Sequence, residues 1–153
     1  MDNTDRKILA ILQEDASISI AEVAARVNLS QTPCWRRIQR LEETGVIQRR
    51  VALVDPNAVG LGLTVFVEIE TGDHSREWLD RFASAMVEMR EVMEVHRMAG
   101  DVDYLLRIAV SNMAAYDTFY RRLISLLPLK NVTSRFAMER VKFTTAYAVD
   151  PPG

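Results

Sequence analysis

The chain has 153 residues, 48% of them apolar, a formal charge of -2 and a single cysteine. That length allows one domain or two small ones; the charge excludes a molecule that is cationic throughout, and one cysteine excludes an internal disulfide. No apolar run reaches the ~20 residues of a membrane-crossing helix, and the acidic, helix-like start MDNTDRKILAILQED lacks a signal peptide's pattern, so the expected location is the cytoplasm.

Asp2, with Asp5 three residues on, suits a helix start whose apolar stripe draws on Ile8, Leu9, Ile11 or Leu12. Ser19 followed by Glu22 is a second start signal, and Ala21, Val23, Ala24 and Val27 supply the stripe of a short second helix. Asn28 falls where the chain must turn and tolerates a left-handed backbone; Leu29 can anchor that turn. Ser30 or Thr32 caps a third helix, with Pro33 in a first turn that needs no amide donor. Cys34, Ile38 and Leu41 recur at i, i+4 and i+7 and point inward, which makes Cys34 a small buried hydrophobe rather than a redox sensor. At 100° per residue Thr32, Arg36, Gln39 and Arg40 share the opposite side, flanked by Arg37 and Trp35. Between residues 26 and 50 six arginines face two glutamates, whereas from Leu61 onward acidic residues exceed basic ones by two. Concentrated cationic charge on two helices joined by a tight turn is the pattern of a helix-turn-helix that binds double-stranded DNA. Gln31, Thr32, Trp35 and Arg36, near the helix start, are the expected readers of base edges. Arg37, Arg40, Arg49 and Arg50 are expected on phosphates, with Gln39 beside them. Trp35 has two open roles, packing on the DNA backbone or shielding the core.

After Gly45, the β-branched VIQRRVALVD reads as a two-stranded wing or a connecting strand. Asp55-Pro56-Asn57 and the glycines at 60 and 62 mark a linker, giving a DNA-binding domain over 1–54, a linker over 55–62 and a second domain over 63–153. Leu63–Glu70 alternates as a strand with Val65, Val67 and Ile69 on one face. Ser75 caps a helix to about Arg90 that buries Trp78, Leu79, Phe82 and Met86. Val92–Met98 and Asp103–Val110 form a hairpin around a turn at 99–102. Met113–Leu127 is a helix burying Tyr116, Phe119, Tyr120, Leu123 and Leu127, stopped by Pro128, and Val132–Glu139 is a last strand before an extended tail. Strand-helix-strand-strand-helix-strand is the ferredoxin-like plan, so the fold class is α+β: a (winged) helix-turn-helix domain plus a βαββαβ sandwich. Helices on one face leave the other face of the sheet to a second copy, hence a homo-oligomer.

His74 and His96 lack companions at metal-ligand spacing, and no Walker loop, dinucleotide fingerprint or nucleophile elbow occurs, so neither metal nor cofactor nor catalytic residue is expected. His74 belongs to a loop; His96, on a strand, is expected to be structural. Gly and Asp at 100–103 suit a hairpin turn on their own.

DRKIL (5–9), LSQTPCWRRIQRLEETGVI (29–47), MAGDVDYLL (98–106) and MERVK (138–142), in this order and spacing, resemble the Lrp/AsnC family of transcriptional regulators over nearly the whole chain. HSREW (74–78), RMAGDVDYL (97–105), YDTFYRRL (116–123) and VTSRFAME (132–139) resemble its cysteine-responsive branch. The resemblance implies a ligand-binding RAM domain, dimers assembling to tetramers or octamers, and a small amino acid, cysteine or leucine-like, bound between dimers. It points to Arg97, Met98, Gly100, Asp101, Asp103 and Tyr104 as the effector site, with Met113, Ser134 and Phe136 from neighbouring elements. A carboxylate there would hold the ammonium group and Arg97 the carboxylate. Met98 and Met113 are expected mainly in the core. Two rivals remain: a sirohaem-decarboxylase-like enzyme of the same architecture, which His96 and Arg97 would serve, and an effector-free protein that compacts DNA.

Overall fold

A computed structural model describes residues 1–149. The chain divides into two compact units, Met1–Ala52 together with the segment from Val141, and Leu53–Arg140.

The first unit holds three helices, α1 (Asn3–Glu14), α2 (Ile20–Arg26) and α3 (Gln31–Glu43). Asp2 caps α1 through a full capping box: the Asp5 amide donates to Asp2 Oδ1, and the Asp2 amide donates to Asp5 Oδ2, both at 2.9 Å. Such caps satisfy amides that have no partner within the helix and stabilise by about 1 kcal/mol each. Ser19 caps α2 by accepting from the Glu22 amide; Glu22 does not return the bond but pairs with Arg26 one turn on. Ser30 rather than Thr32 is the N-cap of α3, and its hydroxyl makes no cap bond. Asn28 adopts φ 55, which lets the Leu29 amide reach the Ala24 carbonyl at 2.9 Å and closes the turn between α2 and α3. Ile8, Leu9, Val23, Ala24, Val27, Cys34, Ile38 and Leu41 form the core, with Leu29, Ile47 and Val149 packed against it.

Three sequence expectations fail in this unit. Ala21 is exposed, because the stripe of so short a helix is filled by Val23, Ala24 and Val27. The segment after α3 forms no strand: residues 48–55 take no regular secondary structure and pair with no ladder, and Val51, Leu53 and Val54 are exposed. β-Branched composition alone does not make a strand when nothing offers the other half of the ladder. The tail, assigned from sequence to the second domain, instead lies along α1. Gln13 receives the Tyr147 amide at 2.8 Å and donates to its carbonyl at 3.1 Å, and Arg6 donates to the Val149 carbonyl at 3.0 Å. Residues 150–153, within that same assignment, fall outside the described residues.

The second unit is a four-stranded antiparallel sheet of order β2-β3-β1-β4, formed by β1 (Leu63–Glu70), β2 (Val92–Arg97), β3 (Tyr104–Val110) and β4 (Asn131–Phe136). α4 (Arg76–Glu88) and α5 (Met113–Leu126) contribute Trp78, Phe82, Met86, Tyr116, Phe119 and Leu123 to one core with Val65, Val67, Ile69, Leu106, Ile108 and Val110. β4 ends at Phe136, short of the expected Glu139. The face turned away from this core carries Phe66 and Leu105 between the ion pairs Glu68–Arg135 and Glu94–Arg107.

Candidate functional site

The arginines of α3 divide into two groups. Cys34, Ile38 and Leu41 bury one side of the helix, which leaves Gln31, Thr32, Trp35 and Arg36 exposed at its start, Trp35 at 43%. Arg36 and Arg49 have no partner among the described residues. Arg37, expected on phosphate, is instead tied down internally: its Nη1 donates to Asp2 Oδ2 at 2.6 Å and to Asp5 Oδ1 at 2.8 Å, leaving 28% of the side chain exposed. Arg40 Nη2 donates to Asp5 Oδ2 at 2.7 Å but keeps 55% of its side chain in solvent. Arg50 pairs with Glu42 at 2.9 Å on the surface, and Gln39 is half-buried. Arg37 is thus held by carboxylates of its own unit, whereas Arg40 and Arg50 are outward groups with one internal tie each.

The Asp5 side chain is fully buried. Burial pushes its carboxyl up, but the Asp2 amide and the Arg37 guanidinium outweigh this and hold it below the ordinary carboxylate value. Asp2 is held at about 2, first by the Asp5 amide and then by Arg37. In the sequence alone Asp5 reads only as part of a helix cap. The available signal was its phase: Asp5, Ile8, Leu9 and Leu12 stand at i, i+3, i+4 and i+7, so a carboxylate sits on the apolar stripe that meets an arginine-rich helix. Cys34 is buried as expected, and burial pushes its thiol up against a weaker pull from Arg37.

The expected effector residues do not form one cluster within the chain. Arg97, Met98 and Asp101 are exposed at the β2–β3 turn, where Gly100 takes φ 129, a conformation suited to glycine. Asp103 is occupied with the turn itself: its Oδ2 accepts the Thr71 amide at 2.8 Å, its own amide reaches the Ile69 carbonyl and its carbonyl takes the Met98 amide. Tyr104 is buried in an aromatic cluster, 4.5 Å from Phe82 between ring centroids, and packs in the core. Ser134 shares a hydrogen bond with the Tyr116 hydroxyl, and Phe136 meets the Tyr116 ring edge-on at 5.1 Å. Met113, one helical turn before Tyr116, is exposed, as is Met98; neither is the core residue expected. In the ladder Tyr104 faces Ile69 while Phe136 faces Val65, four residues along β1 or about 13 Å. The turn group and the Met113–Phe136 group therefore lie toward opposite ends of the sheet. A groove of about 680 Å3 between α4 and α5, lined by Arg81, Ala85, Met89, Arg122, Leu126 and Leu127 among others, includes none of them.

His74 lies in a loop, and His96 is exposed with its Nε2 3.2 Å from Glu94 Oε2. Among the described residues no group of three or more metal-ligating side chains occurs, and no helix is long and apolar enough to cross a membrane.

Residues 64–147 match the family described as Lrp/AsnC ligand binding domain, and residues 1–48 match that described as winged helix-turn-helix DNA-binding. The chain is 50% identical to the DNA-binding transcriptional activator DecR of Escherichia coli K12 over 98% of its own length and 99% of that protein's. An AsnC family transcriptional regulator from Agrobacterium tumefaciens superposes with a TM-score of 0.92 at 57% identity, covering 95% of each chain. A transcriptional regulator from Neisseria meningitidis in complex with L-Met superposes with a TM-score of 0.93 at 32% identity, covering 98% of this chain and 97% of that one. The three are named as transcriptional regulators, which gives no support to the decarboxylase-like rival.

Proposed function

The chain belongs to the Lrp/AsnC family of DNA-binding transcriptional regulators, and from that premise we propose that it reads a two-fold-symmetric operator as a homo-oligomer whose occupancy responds to a small amino acid. The observation that carries the reading is the outer face of α3. Gln31, Thr32, Trp35 and Arg36 stand exposed at its start, with Arg36 unpaired among the described residues, where a helix entering a major groove presents side chains to base edges. Arg40, Arg49 and Arg50 hold phosphates and fix register; Arg37 stays with its carboxylates. Ser30 leaves the first-turn amides without a side-chain cap, so a phosphate can take that place.

The open sheet face is where two copies meet. Phe66 and Leu105 at its centre lose water on pairing, and the flanking carboxylates enter already matched with arginines. Half-sites then lie about one DNA turn apart, or a multiple of it. The effector is a small amino acid with a sulfur-bearing or branched apolar side chain, cysteine or leucine-like, bound where dimers meet. Two observations support this: the candidate residues lie at opposite ends of the sheet, so they meet only if different copies supply them, and Met98 and Met113 are both exposed. The neighbour that binds L-Met is consistent with such chemistry. The place of action is the cytoplasm.

Thermal-shift screening of the twenty amino acids tests the effector, because a ligand bound only to the native state raises apparent stability. One or a few apolar or sulfur-bearing amino acids should raise Tm. A flat response to all twenty would favour the effector-free architectural reading.

A further inference from the structure

We propose that Asp5 is a positioning residue for DNA reading, its buried carboxylate fixing the rotation of α3 about its own axis. The inference rests on α3 being the DNA-reading helix. Its inward contacts are otherwise those of Cys34, Ile38 and Leu41, apolar side chains whose packing has little directional preference. Asp5 adds direction. Oδ1 takes Arg37 at 2.8 Å and Oδ2 takes Arg40 at 2.7 Å, two guanidinium groups about one helical turn apart. The carboxylate is itself immobile: Oδ2 also accepts the Asp2 amide at 2.9 Å, and Asp2 Oδ2 takes the same Arg37 nitrogen at 2.6 Å. Charge-assisted hydrogen bonds of this length hold geometry as well as attract. A rotation of about 20° would move a side-chain tip at the helix's ~6 Å radius by roughly 2 Å. That is enough to break a hydrogen bond to a base edge, whereas flexible side chains can still find phosphates.

Positioning and plain electrostatics give opposite signs. Asp5→Asn removes a negative charge beside the DNA-facing surface, so a purely electrostatic role tightens binding to every duplex. A positioning role lowers affinity for a preferred sequence and spares the rest. The full-length protein is used to enrich a preferred duplex from a random pool, and Kd is then measured for that duplex and for an unselected one of equal length. Measurements are made at a temperature where circular dichroism shows each variant folded. The expected result is a fall of about ten-fold in the ratio of the two affinities for Asp5→Asn, the size of one lost base contact, with unselected binding equal or tighter. Arg37→Gln, which alters a partly exposed group, should lower the ratio likewise and decides the matter if Asp5→Asn does not fold. An unchanged ratio in a folded variant overturns the inference. A wild-type protein that enriches no sequence overturns the DNA-reading assignment and the inference with it.

Discussion

At the scale of single residues, the carboxylates at the start of α1 tie stability to acidity. Asp2 is held at about 2 against an ordinary 3.8, and Asp5 is also lowered. A depressed folded value contributes stability that is fully present above the unfolded value and is lost as pH falls through the folded one. Tm of the helix-turn-helix unit should therefore hold steady from neutrality to about pH 5 and decline between roughly pH 4 and 2. Asp2→Asn should lower Tm at neutral pH and flatten that decline; an unaltered acid profile would show that the Arg37 ties contribute nothing. Arg37→Ala leaves the buried Asp5 with one guanidinium fewer and should cost about 2 kcal/mol in denaturant unfolding. Cys34 gives a second test. Its thiol is buried and shifted upward, so iodoacetamide should not label the native protein, and Cys34→Ala should fold and keep any amino-acid response. Loss of that response would give the thiol a role its burial argues against.

At the scale of elements, caps and turns were legible because their chemistry is local. Asn28 illustrates this: φ 55 is tolerated by Asn and Gly, so Asn28→Gly should be nearly neutral. Asn28→Val should cost about 1–2 kcal/mol by chemical denaturation and loosen the joint between α2 and α3. Equal stability of the two variants would mean that the turn does not need the left-handed conformation. Strands β1 and β3 and helices α4 and α5 were readable from alternation and 3.6-residue phase. What escaped the sequence depends on long-range partners. The β-branched run after Gly45 found no ladder, Arg37 found Asp2 and Asp5, and Tyr104 turned into the Trp78–Phe82 cluster. Residues more than twenty positions apart, or the absence of a pairing strand, decide each of these, and spacing within one element carries no information about them. Asp103 was legible as a turn residue, yet its bond to Thr71 across the sheet's end was not.

At the scale of the molecule, the proposed division of work gives the arginine-bearing face of α3 to DNA and the sheet face carrying Phe66 and Leu105 to a second copy. Phe66→Glu would place a charge at the centre of the open face, beside Glu68. Light scattering should then show a shift to smaller species, while circular dichroism stays native because Phe66 points away from the core. An unchanged mass would mean that copies meet elsewhere. Both DNA reading and its regulation require the outer face of α3 to meet a duplex. The most direct measurement is a salt titration of binding to an enriched duplex, for wild type and for Arg36→Ala, Arg37→Ala and Arg49→Ala. The expected result is a steep loss of affinity with salt, a slope smaller by about 0.9 in Arg49→Ala, weakened binding to the enriched duplex in Arg36→Ala, and an unchanged slope in Arg37→Ala. Salt-independent binding, or a slope that falls only in Arg37→Ala, would contradict it.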